Sequence, residues 1–244
     1  AFVAVINIIT KTAAQVPGGF ASLQAGEQAM RGLTVRQGGG EGPLRYRVTA
    51  SAQQRDRFEK HVAGTGFDDG SYFEASKTYF VNGRLDWQLA PDSDVMLQFG
   101  LSQGDWKGGS RQPASARSAL QPIEQDSRAL YLQLAYHKVE SERREWRVQA
   151  YHTQNRFDAD AVANIGGPVV VDQYLTQSRS NLELQVNEQW APGLRAVWGG
   201  EVRQETVKSP QNYNTGETFS GELARAFGNL EWRAHERVLL QGGA

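Results

Sequence analysis

Four histidines, His61, His137, His152 and His235, are the side chains of this 244-residue sequence best suited to proton transfer or metal binding. By local pattern they fall in a loop, two strands and a turn, and none stands in a His-Glu-x-x-His or His-x-x-His arrangement. Those spacings matter because they put two imidazoles on one helix face, within reach of one metal. Phe67-Asp68-Asp69-Gly70 and Phe157-Asp158-Ala159-Asp160 pair carboxylates in long loops, the oxygen chemistry a calcium site uses. Solvated loop acids are the plainer reading of both. The chain has no cysteine, which removes disulfides, thiolate zinc sites and a cysteine nucleophile. There is no nucleophile elbow, phosphate-binding loop or dinucleotide fingerprint. The sequence therefore points away from catalysis and calls for no cofactor or resident metal.

What it offers instead is a repeated surface. From Leu44 to Gln53 the residues Leu44, Tyr46, Val48, Ala50 and Ala52 alternate with Arg45, Arg47, Thr49, Ser51 and Gln53. A period of two puts one set on each side of a β-strand, one side apolar and one wet. The same alternation returns at Tyr79–Leu89, Val95–Leu101, Leu130–Tyr136, Trp146–Ala150, Leu182–Val186, Leu194–Val202 and Ala224–Trp232. By this rule the chain holds about ten strands and one more opening at Val238. Trp87, Trp146, Trp190 and Trp232 fall on the apolar side of their strands, each a few residues from a short turn. Four indoles at one level match the interfacial girdle of a membrane barrel, apolar ring to lipid and N–H to water.

The connections alternate as regularly as the side chains. Short ones lie at Gly39–Pro43, Pro91–Ser93, Glu140–Arg143, Ala191–Gly193 and Ala234–Glu236, and the glycines at 38–42 are read as turn chemistry. Long ones run from Arg57 to Lys77, Trp106 to Ser127, Phe157 to Gln177 and Lys208 to Thr218. Short turns on one end and long loops on the other are the habit of outer-membrane barrels. A net charge of −1 with scattered bases gives no sign of nucleic acid. A mean hydropathy of −0.55 argues against a helical membrane protein but not a barrel, whose strands are polar at alternate positions. The opening residues read as a strand, with no basic stretch of the signal-peptide type.

The wet side carries charges of both signs, among them Arg45, Arg47, Arg84, Asp86, Glu183, Glu201, Arg203 and Arg233. Such a face suits a water-filled lumen, a polar plug, or the outer side of an ordinary antiparallel sheet. Ahead of all the strands lies Ala4-Val5-Ile6-Asn7-Ile8-Ile9-Thr10-Lys11, too short to cross a membrane as a helix. Asn7, Ile8, Ile9, Thr10 and Lys11 resemble the end of the plug domain in TonB-dependent outer-membrane receptors, with Ala4 where that family usually has glycine.

That resemblance implies an all-β fold, an antiparallel up-and-down transmembrane β-barrel of about 22 strands around a plug. This chain would supply part of it, about ten to eleven strands, and in isolation an open curved sheet. Residues 1–17 would be the end of the plug and its linker, and 18–244 the first half of the barrel. The family imports scarce ligands, commonly ferric siderophores or similar metal chelates, with energy from TonB. The implied partners are outer-membrane lipid, TonB through the missing plug, and a small metal chelate, in the outer membrane of a Gram-negative bacterium. A passive porin or adhesin barrel is the first rival, and a soluble β-sandwich binding module or carbohydrate-active enzyme the second.

Overall fold

In the computed structural model the described residues are 10–56, 75–108, 123–164 and 168–244, and their strands form one eleven-stranded antiparallel sheet. The strands are β1 (Gly18–Ala25), β2 (Arg31–Gly39), β3 (Leu44–Arg55), β4 (Ser76–Ala90), β5 (Ser93–Gly108) and β6 (Ile123–Ser141), followed by β7 (Arg144–Asn164), β8 (Pro168–Ala191), β9 (Leu194–Lys208), β10 (Phe219–His235) and β11 (Val238–Gly243). Each pairs with its neighbours in sequence, in the order β1 to β11, so the sheet is a meander without crossovers. Greek-key sandwiches need crossovers between two sheets, and this sheet has none. A 3-10 turn at Ala13–Gln15 precedes β1, and a short helix, α1 (Pro210–Tyr213), follows β9.

Register converts the alternation along each strand into two continuous faces. Leu85, Leu97, Leu134, Ala150, Leu182, Val202 and Ala224 stand opposite one another from β4 to β10. A slip of one residue anywhere would carry a whole strand to the wrong face. Leu44, Tyr46, Val48, Leu130, Leu132, Leu134, Leu182 and Leu184 are all exposed, between 37% and 50%. The buried apolar residues are few and small, chiefly alanines with Val16 and Val186. Among the described residues this is a single layer whose apolar face meets no other element. At Gly83, opposite Phe99, the phenyl ring lies over the bare Cα, where a Cβ would overlap it. The ring fills the gap that a strand glycine leaves.

The short turns after β2, β4, β6, β8 and β10 all fall at one end of the meander. Those after β4, β6, β8 and β10 each coincide with a register shift at the strand end. Such bulges add twist and re-aim the chain into the return strand.

At the other end the strands run further than the sequence implies. The expected loop from Phe157 to Gln177 is mostly strand: β7 continues to Asn164 and β8 starts at Pro168. Asp158 and Asp160 are therefore strand residues rather than loop acids. The same holds for Trp106–Gly108 in β5 and Ile123–Ser127 in β6. Cross-strand pairing explains the difference, because a polar stretch without alternation still becomes strand when its neighbour offers a full ladder of partners. Phe67–Gly70 lies outside the described residues. Gly38 and Gly39, read above as turn residues, belong to β2, and the turn starts at Gly40.

If lipid covers the apolar face, Leu134→Arg should lower stability in vesicles by about 2–4 kcal/mol. Gln133→Arg, one residue away on the polar face, should change it little. Urea titration of both variants in the same vesicles checks the contrast.

Candidate functional site

The polar face of β2, β3 and β4 carries the segment that leads into β1. From Thr10 to Pro17 the chain has no strand of its own to join, so its backbone groups need other partners. Side chains of the sheet supply them. Ala13 N–H donates to Asp86 Oδ2 at 2.8 Å. The Arg47 guanidinium donates to the Lys11 carbonyl at 3.2 Å, and Arg84 to Thr10 Oγ1 at 3.3 Å. Gln98 of β5 reaches the same Thr10 hydroxyl at 3.5 Å. Asp86 is held in place by Arg84, whose Nε donates to both carboxylate oxygens at 2.8 and 3.0 Å. The segment also braces itself, since Thr12 N–H donates to Gln15 Oε1 at 2.8 Å.

Close approach makes this seating possible. Ala13 and Val16 are buried against the sheet, at 1% and 7% exposure. The Val16 carbonyl lies so near Gly38 that a Cβ there would collide with backbone. Backbone cannot move aside as a flexible side chain can, so Gly38 is a notch for the crossing chain. The period-two rule placed Arg47, Arg84 and Asp86 on this face. It missed Gly38, hidden within a glycine run, and it missed that Asp86 would bind a main-chain N–H.

Of the motif at 7–11, Thr10 and Lys11 lie in this cradle, while Asn7, Ile8 and Ile9 fall outside the described residues. The four indoles occupy the apolar face. Trp87 stands opposite Leu44 and Val95, and Trp232 opposite Leu194 and Leu240. Trp146 meets Tyr136 edge-on at 5.2 Å. The Trp190 indole N–H donates to Glu188 Oε2 at 3.0 Å. Trp87, Trp190 and Trp232 are exposed and Trp146 is half-buried.

Two further polar clusters tie strands together on the face that holds the cradle. His137 of β6 has Nδ1 at 3.0 Å from Asp94 and Nε2 at 3.3 Å from Glu145, which also accepts from Asn187 at 2.8 Å. Both ring nitrogens thus face carboxylates, and the cluster ties β5, β6, β7 and β8 together. Glu201 of β9 has a side chain 1% exposed. It is met by Arg203 at 2.5 Å and by Arg225 from the next strand. A buried carboxylate is tolerable only with such partners. Among the described residues no three His, Asp or Glu side chains are placed to share a metal ion.

The chain matches no family model and no curated protein sequence. Among solved structures it is similar to the ferric-catecholate import receptor Fiu from E. coli K12, with a TM-score of 0.74 and 11% identity, over 96% of this chain and 44% of that one. It is similar to the ferripyoverdine receptor of the outer membrane of Pseudomonas aeruginosa, with a TM-score of 0.62 and 18% identity, over 96% of this chain and 37% of the receptor. The fold is that of part of an outer-membrane receptor barrel. The copper transporter OprC shares it, with a TM-score of 0.69 and 17% identity, over 92% of this chain and 35% of the transporter. The chain thus spans less than half the length of the receptors it matches.

Removing the Asp86 carboxylate should free the Ala13 amide. A hydrogen bond to a charged group contributes about 1.5–3 kcal/mol, so Asp86→Ala should speed exchange of that amide by about ten- to a hundred-fold. Gly38→Val should loosen the whole segment from 12 to 17. Hydrogen exchange read by mass spectrometry on the two variants checks both outcomes.

Proposed function

We propose that the chain is part of a TonB-dependent outer-membrane receptor that imports a scarce metal chelate. Residues 1–17 are the end of its plug and the linker, and residues 18–244 the first half of its barrel. The observation that carries this reading is the cradle. Thr10 and Lys11, which close a stretch resembling the family's plug end, lie with Ala13 along the polar face of a sheet whose other face is apolar and exposed. A plain pore has no need to pin such a segment to its inner wall.

In this reading the apolar face meets outer-membrane lipid, and Trp87, Trp146, Trp190 and Trp232 mark the interface near the short turns. The polar face lines the lumen. The cradle fixes the plug's trailing end to β2–β4 while the rest of the plug yields to TonB. Similar barrels bear names that include ferric chelates and copper, which supports a metal complex as the cargo. The chain's work is transport and not catalysis: the pairs assembled on its polar face hold strands and backbone together.

Deleting the gene should abolish uptake of one class of radiolabelled ferric chelate, and the same loss should follow deletion of TonB. Uptake that persists without TonB but disappears with the gene would establish the passive porin instead.

A further inference from the structure

The apolar face does not stay apolar to the ends of its strands. Beyond Leu101 of β5 and Leu130 of β6 the same side of the sheet turns charged, and it does so in rows. Arg128 of β6 stands directly opposite Arg156 of β7. In the next row toward the long loops, Asp105, Asp126 and Asp158 stand opposite one another, with Lys77 at the end. Period two keeps both rows on the side of Leu101 and Leu130, away from the lumen. Two arginines set directly across a sheet repel each other. Each is paired along its own strand, Arg128 with Asp126 at 3.4 Å and Arg156 with Asp158 at 3.2 Å, each through Nη2. All four side chains are well exposed, and exposed pairs of this kind contribute little to stability. The sheet gains little from the row itself.

A depression on this side of the sheet lies beside the arginines. Val81, Leu101 and Leu130 line it below, Arg128 and Arg156 above, and Gln154 on the flank. The three apolar side chains are exposed. Next to the depression the apolar band is cut short. Leu130 faces Gln154, and Ser178 and Thr206 continue that row across β8 and β9. On β7 the apolar residues of this side resume only at Ala150. Strand tilt of about 35–45° shifts a membrane's edge by roughly one residue per strand, and the fall from β6 to β7 is larger. The polar groups in the gap are met: His152 Nδ1 lies 2.9 Å from Ser180 Oγ, and Ser178 Oγ 2.6 Å from Thr206 Oγ1. Unmet, they would be costly next to hydrocarbon.

We infer that the outer face of β4–β7 holds one phosphorylated lipid, its phosphate on Arg128 and Arg156 and its chains over Val81, Leu101 and Leu130. The receptor reading puts lipid on this face, and the lipid site rests on that reading. A guanidinium fork matches phosphate oxygens in pairs, and a cationic rim above an apolar floor complements an amphiphile. The carboxylates lie one row further from the floor, so a phosphate arriving from the lipid side meets the guanidinium groups first. Arg156 is also steadied from the side, 5.0 Å from the centre of the Tyr174 ring. A free phosphate would use the rim and leave the floor bare.

The test refolds the full chain in maltoside micelles and titrates it with three probes, counting bound molecules by native mass spectrometry. They are dioleoyl phosphatidic acid, dioleoyl phosphatidylcholine and the chainless glycerol 3-phosphate. Phosphatidic acid should bind about tenfold or more tighter than either of the others. Arg128→Gln combined with Arg156→Gln should remove that preference, and the paired lysine variant should recover part of it. Arg45→Gln with Arg147→Gln, which removes the same charge from the polar face, should leave it unchanged. Gel migration before and after boiling reports whether each variant has folded. Equal binding of the two lipids by the folded wild type overturns this inference alone, as does a preference that survives the double glutamine variant. Glycerol 3-phosphate bound as tightly as phosphatidic acid makes the site one for free anions and overturns it too. A chain that folds as a soluble protein without detergent overturns the receptor reading, and the lipid site falls with it.

Discussion

Every strand described in this chain takes its hydrogen bonds from its neighbours, and no other described element covers its apolar side. A soluble sheet covers that side with another layer, and among the described residues there is none. The rung from Leu85 to Ala224 crosses seven strands and meets no other described element. At roughly 25 cal/mol per Å² of apolar surface removed from water, leaving such a face wet forfeits most of what ordinarily stabilises a fold. In the receptor reading proposed above, lipid would supply that layer without a second sheet. It would also set the terms for the backbone, because in hydrocarbon each N–H and C=O must be met within the sheet.

The polar face follows a different rule. Freed from packing, it holds charges in pairs and triads: Arg84 with Asp86, His137 between Asp94 and Glu145, and Glu201 between Arg203 and Arg225. Each links neighbouring strands or prepares one carboxylate for another partner. Asp86 shows the second use, since its pairing with Arg84 leaves Oδ2 positioned for the Ala13 amide. The cradle is thus a by-product of strand alternation that the N-terminal segment exploits.

The two faces could be read from residue types because period two is a local property, and each of the eight leucine, tyrosine and valine positions expected to face outward is exposed. Strand ends were harder to read. Around Asp158 and Asp160 nothing in the local sequence shows that β6 and β8 flank the stretch, and it is those neighbours that make it strand. Gly38 was illegible for a similar reason: its need for a bare Cα comes from Val16, a residue far away in sequence that crosses it. Side-chain identity tells which face a residue takes, but not what will lie on it.

The order of contacts along the N-terminal segment has a mechanical meaning. A pull applied from the residue 1 side reaches the Thr10 and Lys11 contacts first and the Ala13–Asp86 bond next. Beyond it lies the Val16 crossing, after which the chain joins β1 and its ladder with β2. Loaded in this way the early contacts peel one at a time and each gives at modest force. At Gly18 the geometry changes, because tension there runs along a paired strand and shears many hydrogen bonds together. From Thr10 onward the segment therefore behaves as a graded tether, soft at first and stiff at its root, and a force that strips it stops at the ladder of β1 with β2.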